Sequence, residues 1–225
     1  MKIAFISDVH ANSPALIAVL NDLQDVDTIL HAGDIVGYNP FPSRVISYFQ
    51  DKNIKSVSGN HDQAVVGETS FEFTDPVGEV INWTQNQISS EEKKTLAQIP
   101  TELKIQLDNK TIQLVHGSPD NMNKYVYPTD LSLDLVDNLD EDVDIFVWGH
   151  THYPIATKIN NKYLLNPGSV GQPRDGDWRA SYMVFDTNND WLEFRRKEFD
   201  ISTVTNKAKA ESFPQSVIDL LRQPD

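Results

Sequence analysis

The chain has 225 residues, a formal net charge of −14 and no cysteine. That length can bury a sizeable core as one domain over residues 1–225. Without thiols there are no disulfides or thiolate metal sites, so any metal must be held by His, Asp, Glu or Asn. The acidic balance argues against a nucleic-acid partner, because phosphate-backbone binding rests on Lys and Arg. It leaves room for a small phosphorylated substrate, since a site holding divalent cations is locally positive whatever the global charge. No apolar run approaches the ~18 residues of a membrane helix, and the N-terminal run is too short for a signal-peptide core. The expected location is cytoplasmic, with no membrane partner; a homo-oligomer is neither argued for nor against.

The first element is a short apolar run from Ile3 to Ser7 that predicts a buried strand. Asn12 or Ser13 can cap a helix with Pro14 in its first turn, and Leu16, Val19, Leu20 and Leu23 form its apolar face. Thr28 to Ala32 reads as a second strand ending at Gly33-Asp34. Pro40 and Pro42 mark a loop, followed by a helix from Ser43 to Asp51 and a third strand from Ile54 to Val57 that ends at Gly59-Asn60-His61-Asp62. Asp75 caps a helix opened by Pro76 and running to about Ile88, and Ser89-Ser90-Glu91-Glu92 offers capping-box chemistry for the next, stopped by Pro100. Leu103 to Leu107 and Thr111 to Val115 flank Asp108-Asn109-Lys110 as a hairpin, and the second strand ends at His116-Gly117. A short helix follows from Asp130 to Leu139, then a strand from Ile145 to Trp148 ending at Gly149-His150-Thr151-His152. Two more hairpins turn at Asn160-Asn161 and at Thr187 to Asp190, and the segment from about 200 to 225 reads as helical, with an amphipathic pattern from Phe213 onward.

Strands alternating with helices in the first half imply a parallel or mixed sheet, and the hairpins of the second half suggest another sheet facing it. In open α/β sheets ligands bind beyond the carboxyl ends of strands. Five of the six histidines (His10, His61, His116, His150 and His152) follow a predicted strand, beside Asp, Asn and Gly. Histidines satisfied in a core would be scattered instead. A single Asp-x-His pair carries little information, but the ordered set points to divalent metals held by imidazole and carboxylate. His31 reads as a buried residue steadying the Asp34 loop, and Trp148 and Tyr163 read as core.

Asp8-x-His10, Gly33-Asp34, Gly59-Asn60-His61-Asp62, His116 and Gly149-His150-x-His152 match, in order, the five blocks of the calcineurin-like metallophosphoesterases. The resemblance runs from Met1 to about Asp186. Gly33-Asp34-Ile35-Val36-Gly37-Tyr38 and Asn166-Pro167-Gly168-Ser169-Val170-Gly171 are similar to the small prokaryotic branch of YfcE-type phosphodiesterases. The resemblance implies an α/β fold, a four-layer αββα sandwich of two mixed sheets. It also implies two divalent metal ions, with Mn favoured over Fe, Ni, Co or Zn. Asp8, His10 and His152 would hold one, Asn60, His116 and His150 the other, and Asp34 would bridge them. His61 would be catalytic, stabilising the phosphoryl group or protonating the leaving oxygen. The reaction implied is in-line attack of a metal-bridging hydroxide on a phosphate ester, with a diester favoured.

The sequence departs from the family at one place. Many members carry an Asp and an Arg three and four residues after the bridging Asp, where this chain has Gly37 and Tyr38. Asp62 is a candidate to replace the Asp that orients the catalytic His, and Arg174 to replace the Arg that grips phosphate. Tyr38 and Asn39 are further candidates for the substrate mouth. The rival activities are a phosphomonoesterase or a nucleotide pyrophosphohydrolase on the same site. A non-catalytic metal-binding scaffold of the same fold is the rival from outside enzymes, and the intact ligand set weighs against it. The net charge weighs against a nuclease.

Overall fold

The computed structural model describes residues 1–67 and 76–221. Ten strands form two five-stranded mixed sheets among these residues. One has the order β10-β9-β1-β2-β3 and comprises β1 (Lys2–Ile6), β2 (Thr28–His31), β3 (Lys55–Ser56), β9 (Ala180–Asp186) and β10 (Trp191–Lys197). The other has the order β4-β5-β6-β8-β7 and comprises β4 (Glu102–Leu107), β5 (Lys110–Val115), β6 (Ile145–Val147), β7 (Pro154–Ile159) and β8 (Lys162–Pro167). β1, β2 and β3 run parallel, as do β5, β6 and β8, so their carboxyl ends open on common edges.

Side-chain alternation along the strands builds the layers. Ile3 and Phe5 of β1, Leu30 of β2, Ile112 and Leu114 of β5, and Ile145 and Val147 of β6 share one core between the sheets. The alternate residues Ala4 and Ile6 face the opposite way, onto helices α1 (Ser13–Asp22) and α2 (Pro42–Asp51). Phe146, Trp148 and Leu164 face outward from the second sheet onto α6 (Leu133–Asp137). This is the four-layer αββα sandwich the sequence predicts.

Local chemistry sets the helix ends. The Asn12 side chain accepts from the Ala15 amide at 3.1 Å, the N-cap bond that leaves Pro14 free to start α1. Ser89 and Glu92 form the expected reciprocal capping pair at the start of α5 (Ser90–Ala97). Two findings differ from the sequence expectation. Gly59-Asn60-His61-Asp62, read in the sequence only as the end of the third strand, opens a helix, α3 (Asn60–Val66). The 128–139 region divides into a 3-10 turn at Pro128–Asp130 and the five-residue α6, because Pro128 and the extended backbone of Leu131 interrupt it. Asp75, the expected cap of α4 (Val77–Gln87), lies outside the described residues.

The C-terminal segment adds α7 (Ile201–Ala210) and α8 (Gln215–Leu220). Ala208, Phe213, Val217 and Ile218 pack with Val80 of α4, and Trp83 and Tyr38 rest against the same cluster. Among the described residues no helix is long and apolar enough to cross a membrane.

Candidate metal centre

Each candidate ligand sits just beyond a strand end. β1 leads to Asp8 and His10, β2 to Asp34, β3 to Asn60, β5 to His116, and β6 to His150 and His152. All seven are buried. Asp8, His10, Asp34, His150 and His152 have φ between 48° and 66°, a left-handed backbone that costs about 1–3 kcal/mol per non-glycine residue and persists only where surroundings enforce it. The enforcing bonds are present. The Asp8, His10 and Ala11 amides donate to the carbonyls of Gly33, Asp34 and Ile35 at 2.9, 3.0 and 2.8 Å. The His61 amide donates to Asp34 Oδ1 at 2.9 Å, and the His150 amide to Asp8 Oδ2 at 3.1 Å.

The imidazoles are oriented in a shared way. His10 Nδ1 faces the Val36 carbonyl at 3.3 Å, His116 Nδ1 that of Ala32 at 2.8 Å, His152 Nδ1 that of Gln172 at 2.6 Å, and His150 Nε2 that of Asn123 at 3.3 Å. A carbonyl only accepts, so each of those nitrogens carries the hydrogen and the other nitrogen turns a lone pair inward. The inward nitrogens face each other: His10 Nε2 and His152 Nε2 are 3.0 Å apart, His116 Nε2 and His150 Nδ1 3.2 Å. Asp8 Oδ1 lies 3.2 Å from His152 Nε2. Asp34 Oδ2 lies 3.2 Å from His116 Nε2 and 3.6 Å from His10 Nε2. Asn60 Oδ1 is 3.0 Å from His116 Nε2. Lone pairs converging at these distances repel unless positive charge lies among them, so the residues present fit divalent cations. The all-nitrogen-and-oxygen donor set suits borderline and hard metals. Asp8, His10 and His152 make one group able to hold an ion, and Asp34, His116 and His150 another; His10 and Asp34 also group with His61.

The electrostatics follow from burial and from the two carboxylates. Burial penalises the charge of Asp8 and Asp34, yet the surrounding imidazoles outweigh it and hold both carboxyls below the usual range. Burial also pulls His116 down, but the charge and hydrogen bond of Asp34 prevail and push it up to about 9, so a metal at its inward nitrogen displaces a proton to reach the lone pair. His61 and His150 fall to about 4 and about 3, chiefly by burial.

His61 sits beside this cluster, its ring 4.7 Å from that of His10 and 4.8 Å from that of Tyr38. Tyr38 also meets His10 edge-on at 4.7 Å, and its hydroxyl accepts from Arg174 Nη2 at 3.0 Å. The structure therefore brings Arg174 and Tyr38 to the mouth together. Gly37 explains part of the departure in sequence. Its φ is +138°, and a Cβ there would stand 2.6 Å from His10 Nδ1 and 2.8 Å from His61 Nδ1. No side chain fits between these two rings.

Two candidates take other places. The Asp62 carboxylate accepts from the backbone amides of Asp34, Ile35, Val36 and Gly59 at 3.0 to 3.2 Å. These bonds hold the Asp34 turn and cap α3; they point to a clamp on the loop, not to a group that orients the His61 ring. Burial and the charge of Asp34 push this carboxyl up to about 7 against those amides. Asn39 is buried and gives its side-chain amide to the His10 carbonyl at 2.9 Å, so it anchors the loop instead of lining the mouth. His31 is buried, and its Nδ1 faces Ser56 Oγ at 2.7 Å and the Gly33 amide at 3.3 Å, beside the Asp34 turn.

The motif from Asn166 to Gly171, noted in the sequence for its resemblance alone, supplies a set of braces that sequence reasoning does not foresee. Asn166 Nδ2 donates to the Gly149 carbonyl at 2.8 Å and to Thr151 Oγ1 at 3.0 Å, Ser169 Oγ donates to the Asp8 carbonyl at 2.7 Å, and the Gln172 carbonyl receives His152. Asn166 lies near the end of β8 within that motif, whereas Gln172, just beyond it, carries no signal in the sequence.

Residues 1–190 match the family described as the calcineurin-like phosphoesterase superfamily domain. An uncharacterised protein of Methanocaldococcus jannaschii, MJ0912, is 36% identical, covering 95% of this chain and 94% of its own. The crystal structure of a metallophosphoesterase from Sphaerobacter thermophilus is 33% identical with a TM-score of 0.85, over 100% of this chain and 99% of that one. The phosphodiesterase YfcE of Escherichia coli K12 is 26% identical, over 84% of this chain and 89% of its own. With the five blocks gathered at one edge of the sandwich, the chain belongs to the calcineurin-like phosphoesterase superfamily, as a metal-dependent phosphoesterase.

Proposed function

We propose that the chain hydrolyses a phosphodiester with two divalent ions, Mn favoured. Asp8, His10 and His152 would hold one, Asn60, His116 and His150 the other, and Asp34 would serve both. The observation that carries this is the ring orientation: four imidazoles are tied by one nitrogen to a backbone carbonyl and turn the other inward, those of His10 and His116 toward Asp34 Oδ2, that of His152 toward Asp8 Oδ1 and that of His150 toward His116. When bound, the metals supply Lewis-acid polarisation of the phosphoryl oxygens and a hydrolytic water of lowered pKa.

The chain's own groups do the rest. In the net reaction water's oxygen ends on phosphorus, the ester P–O bond breaks, and a proton ends on the leaving oxygen. His61, beside the cluster, binds the phosphoryl group and delivers that proton. The arriving anion favours the protonated imidazole that burial otherwise disfavours. Asp62 positions this machinery through the Asp34 turn. Arg174, held by Tyr38, offers a single guanidinium. One cation matches the single negative charge of a diester better than the double charge of a monoester, and it supports the same preference as the phosphodiesterase relatives.

The test is metal analysis of the purified protein with paired assays on bis(p-nitrophenyl) phosphate and p-nitrophenyl phosphate. Two equivalents of metal and a higher kcat/KM for the diester are expected, and Asp34→Asn should abolish turnover while circular dichroism stays native. Near-native activity in metal-depleted Asp34→Asn would end the two-metal reading. No turnover of either ester with Mn, Ni or Co would favour a scaffold.

A further inference from the structure

Three tyrosines at the site end of the molecule are left half in water: Tyr125, Tyr127 and Tyr153 are 43%, 40% and 38% exposed. Tyr125 lies over the His150 imidazole, centroids 4.0 Å apart and planes 26° from parallel. Tyr127 follows, its plane within 8° of Tyr125 at 6.0 Å. Tyr153, the residue after His152, meets Tyr127 edge-on at 6.3 Å and 74°. The three rings thus extend the metal centre's own ring system toward solvent.

The wall is anchored. Val126, between the two parallel tyrosines, is buried, and its carbonyl accepts from Trp148 Nε1 at 3.1 Å. The Asn123 carbonyl meets His150, and Ser118 pairs with Asn121 through both backbone amides. Rings held this way lose little freedom when a ligand binds. His150 and His152 belong to the candidate metal centre. A phosphoryl group seated there has Tyr125, stacked on His150, and Tyr153, the residue after His152, within reach of its ester substituent.

We propose that the Tyr125–Tyr127–Tyr153 wall stacks a nucleobase carried by the substrate, so that the substrates are nucleotide-containing phosphodiesters. This rests on the phosphoesterase reading above. Parallel ring faces suit a planar π-system, because stacking on aromatic side chains tolerates any base. A quaternary ammonium headgroup would need rings facing a common point. Here two are parallel, and the exposed Lys124, next to Tyr125 in the chain, disfavours a cation.

The experiment compares binding of adenosine 5′-monophosphate, ribose 5-phosphate and phosphocholine to the Mn-loaded protein by titration calorimetry, in wild type, Tyr127→Leu and Tyr153→Leu. The nucleotide should bind about 5- to 150-fold tighter than the sugar phosphate, the range for one stacked base, and Tyr127→Leu should remove most of that ratio. Equal affinities in wild type, a ratio that survives both substitutions, or tighter binding of phosphocholine would overturn the proposal. Hydrolysis of the 5′-methyl phosphodiesters of adenosine and ribose is measured alongside. A nucleotide preference without turnover of either ester would sink the phosphoesterase reading and leave the wall standing; turnover without any base preference would do the reverse.

Discussion

The floor and the mouth of the site are built on opposite terms. On the floor, every candidate ligand is buried, five stand on left-handed backbone, and each ligand imidazole is tied to a carbonyl. At the mouth, Tyr38 and Arg174 are half-buried and held by one hydrogen bond to each other, and the tyrosine wall is exposed. A floor of this kind fixes where charge is stabilised before any ligand arrives, whereas a half-open mouth governs which ligand stays. Substitutions on the floor should act on metal content or kcat, and substitutions at the mouth on KM.

The largest expected effect lies at the boundary. His61→Asn should lower kcat about 10²- to 10⁴-fold, the usual worth of a positioned acid–base group, with metal content unchanged by elemental analysis. A loss of metal instead would move His61 onto the floor. Asn166→Ala tests the floor from behind. It removes the brace on Gly149 and Thr151 and should weaken metal binding about 10- to 100-fold, as loss of a ligand's support does; competition against a chelator reads this directly. Unchanged affinity would mean the left-handed His150 loop holds itself. Arg174→Ala should raise KM for a diester about tenfold, the lower end for a lost charge-assisted bond, with kcat nearly intact in steady-state assays. A fall in kcat with KM constant would place the guanidinium in the transition state.

The smallest effect is far from the site and serves as a control on stability. Asp22 accepts from Lys197 Nζ and the Tyr182 hydroxyl, both at 2.6 Å, and these bonds, Lys197 first, hold its carboxyl below the usual value. A depressed carboxyl adds stability above its unfolded pKa of about 3.9, and this is lost as pH falls through the lower folded value. Asp22→Asn should cost about 0.2–1 kcal/mol at pH 7. The gap between the urea midpoints of variant and wild type should start to close as pH falls below about 4 and vanish below the depressed folded value. A gap that persists in acid would mean the loss is in packing and not in charge.

Most of the sandwich is legible in the sequence because its elements are locally signalled. Apolar runs end at Gly-Asp and Gly-His pairs, Asn160 and Asn161 take the left-handed backbone of a two-residue hairpin turn, and Ser89 with Glu92 announces α5. The opening of α3 is not legible. Its N3 residue, Asp62, caps Gly59 while also holding three amides of the Asp34 turn, and that second set of partners is 26 to 28 residues away in sequence. The same limit hides Asn39, which looks like a loop polar residue until its bond to the His10 carbonyl is seen.

The sequence by itself determined which side chains could meet a metal and in what order the strands present them, because ligand chemistry is a property of residue type and strand ends can be read from hydrophobic pattern. The tertiary structure alone decided which nitrogen of each imidazole turns inward, since that depends on the backbone carbonyls of Ala32, Val36, Asn123 and Gln172, which have no sequence signature. It also decided that Tyr38 and Arg174, 136 residues apart, share one mouth. Close packing of two sheets brings distant segments together at one edge, and no local preference in the chain records that distance.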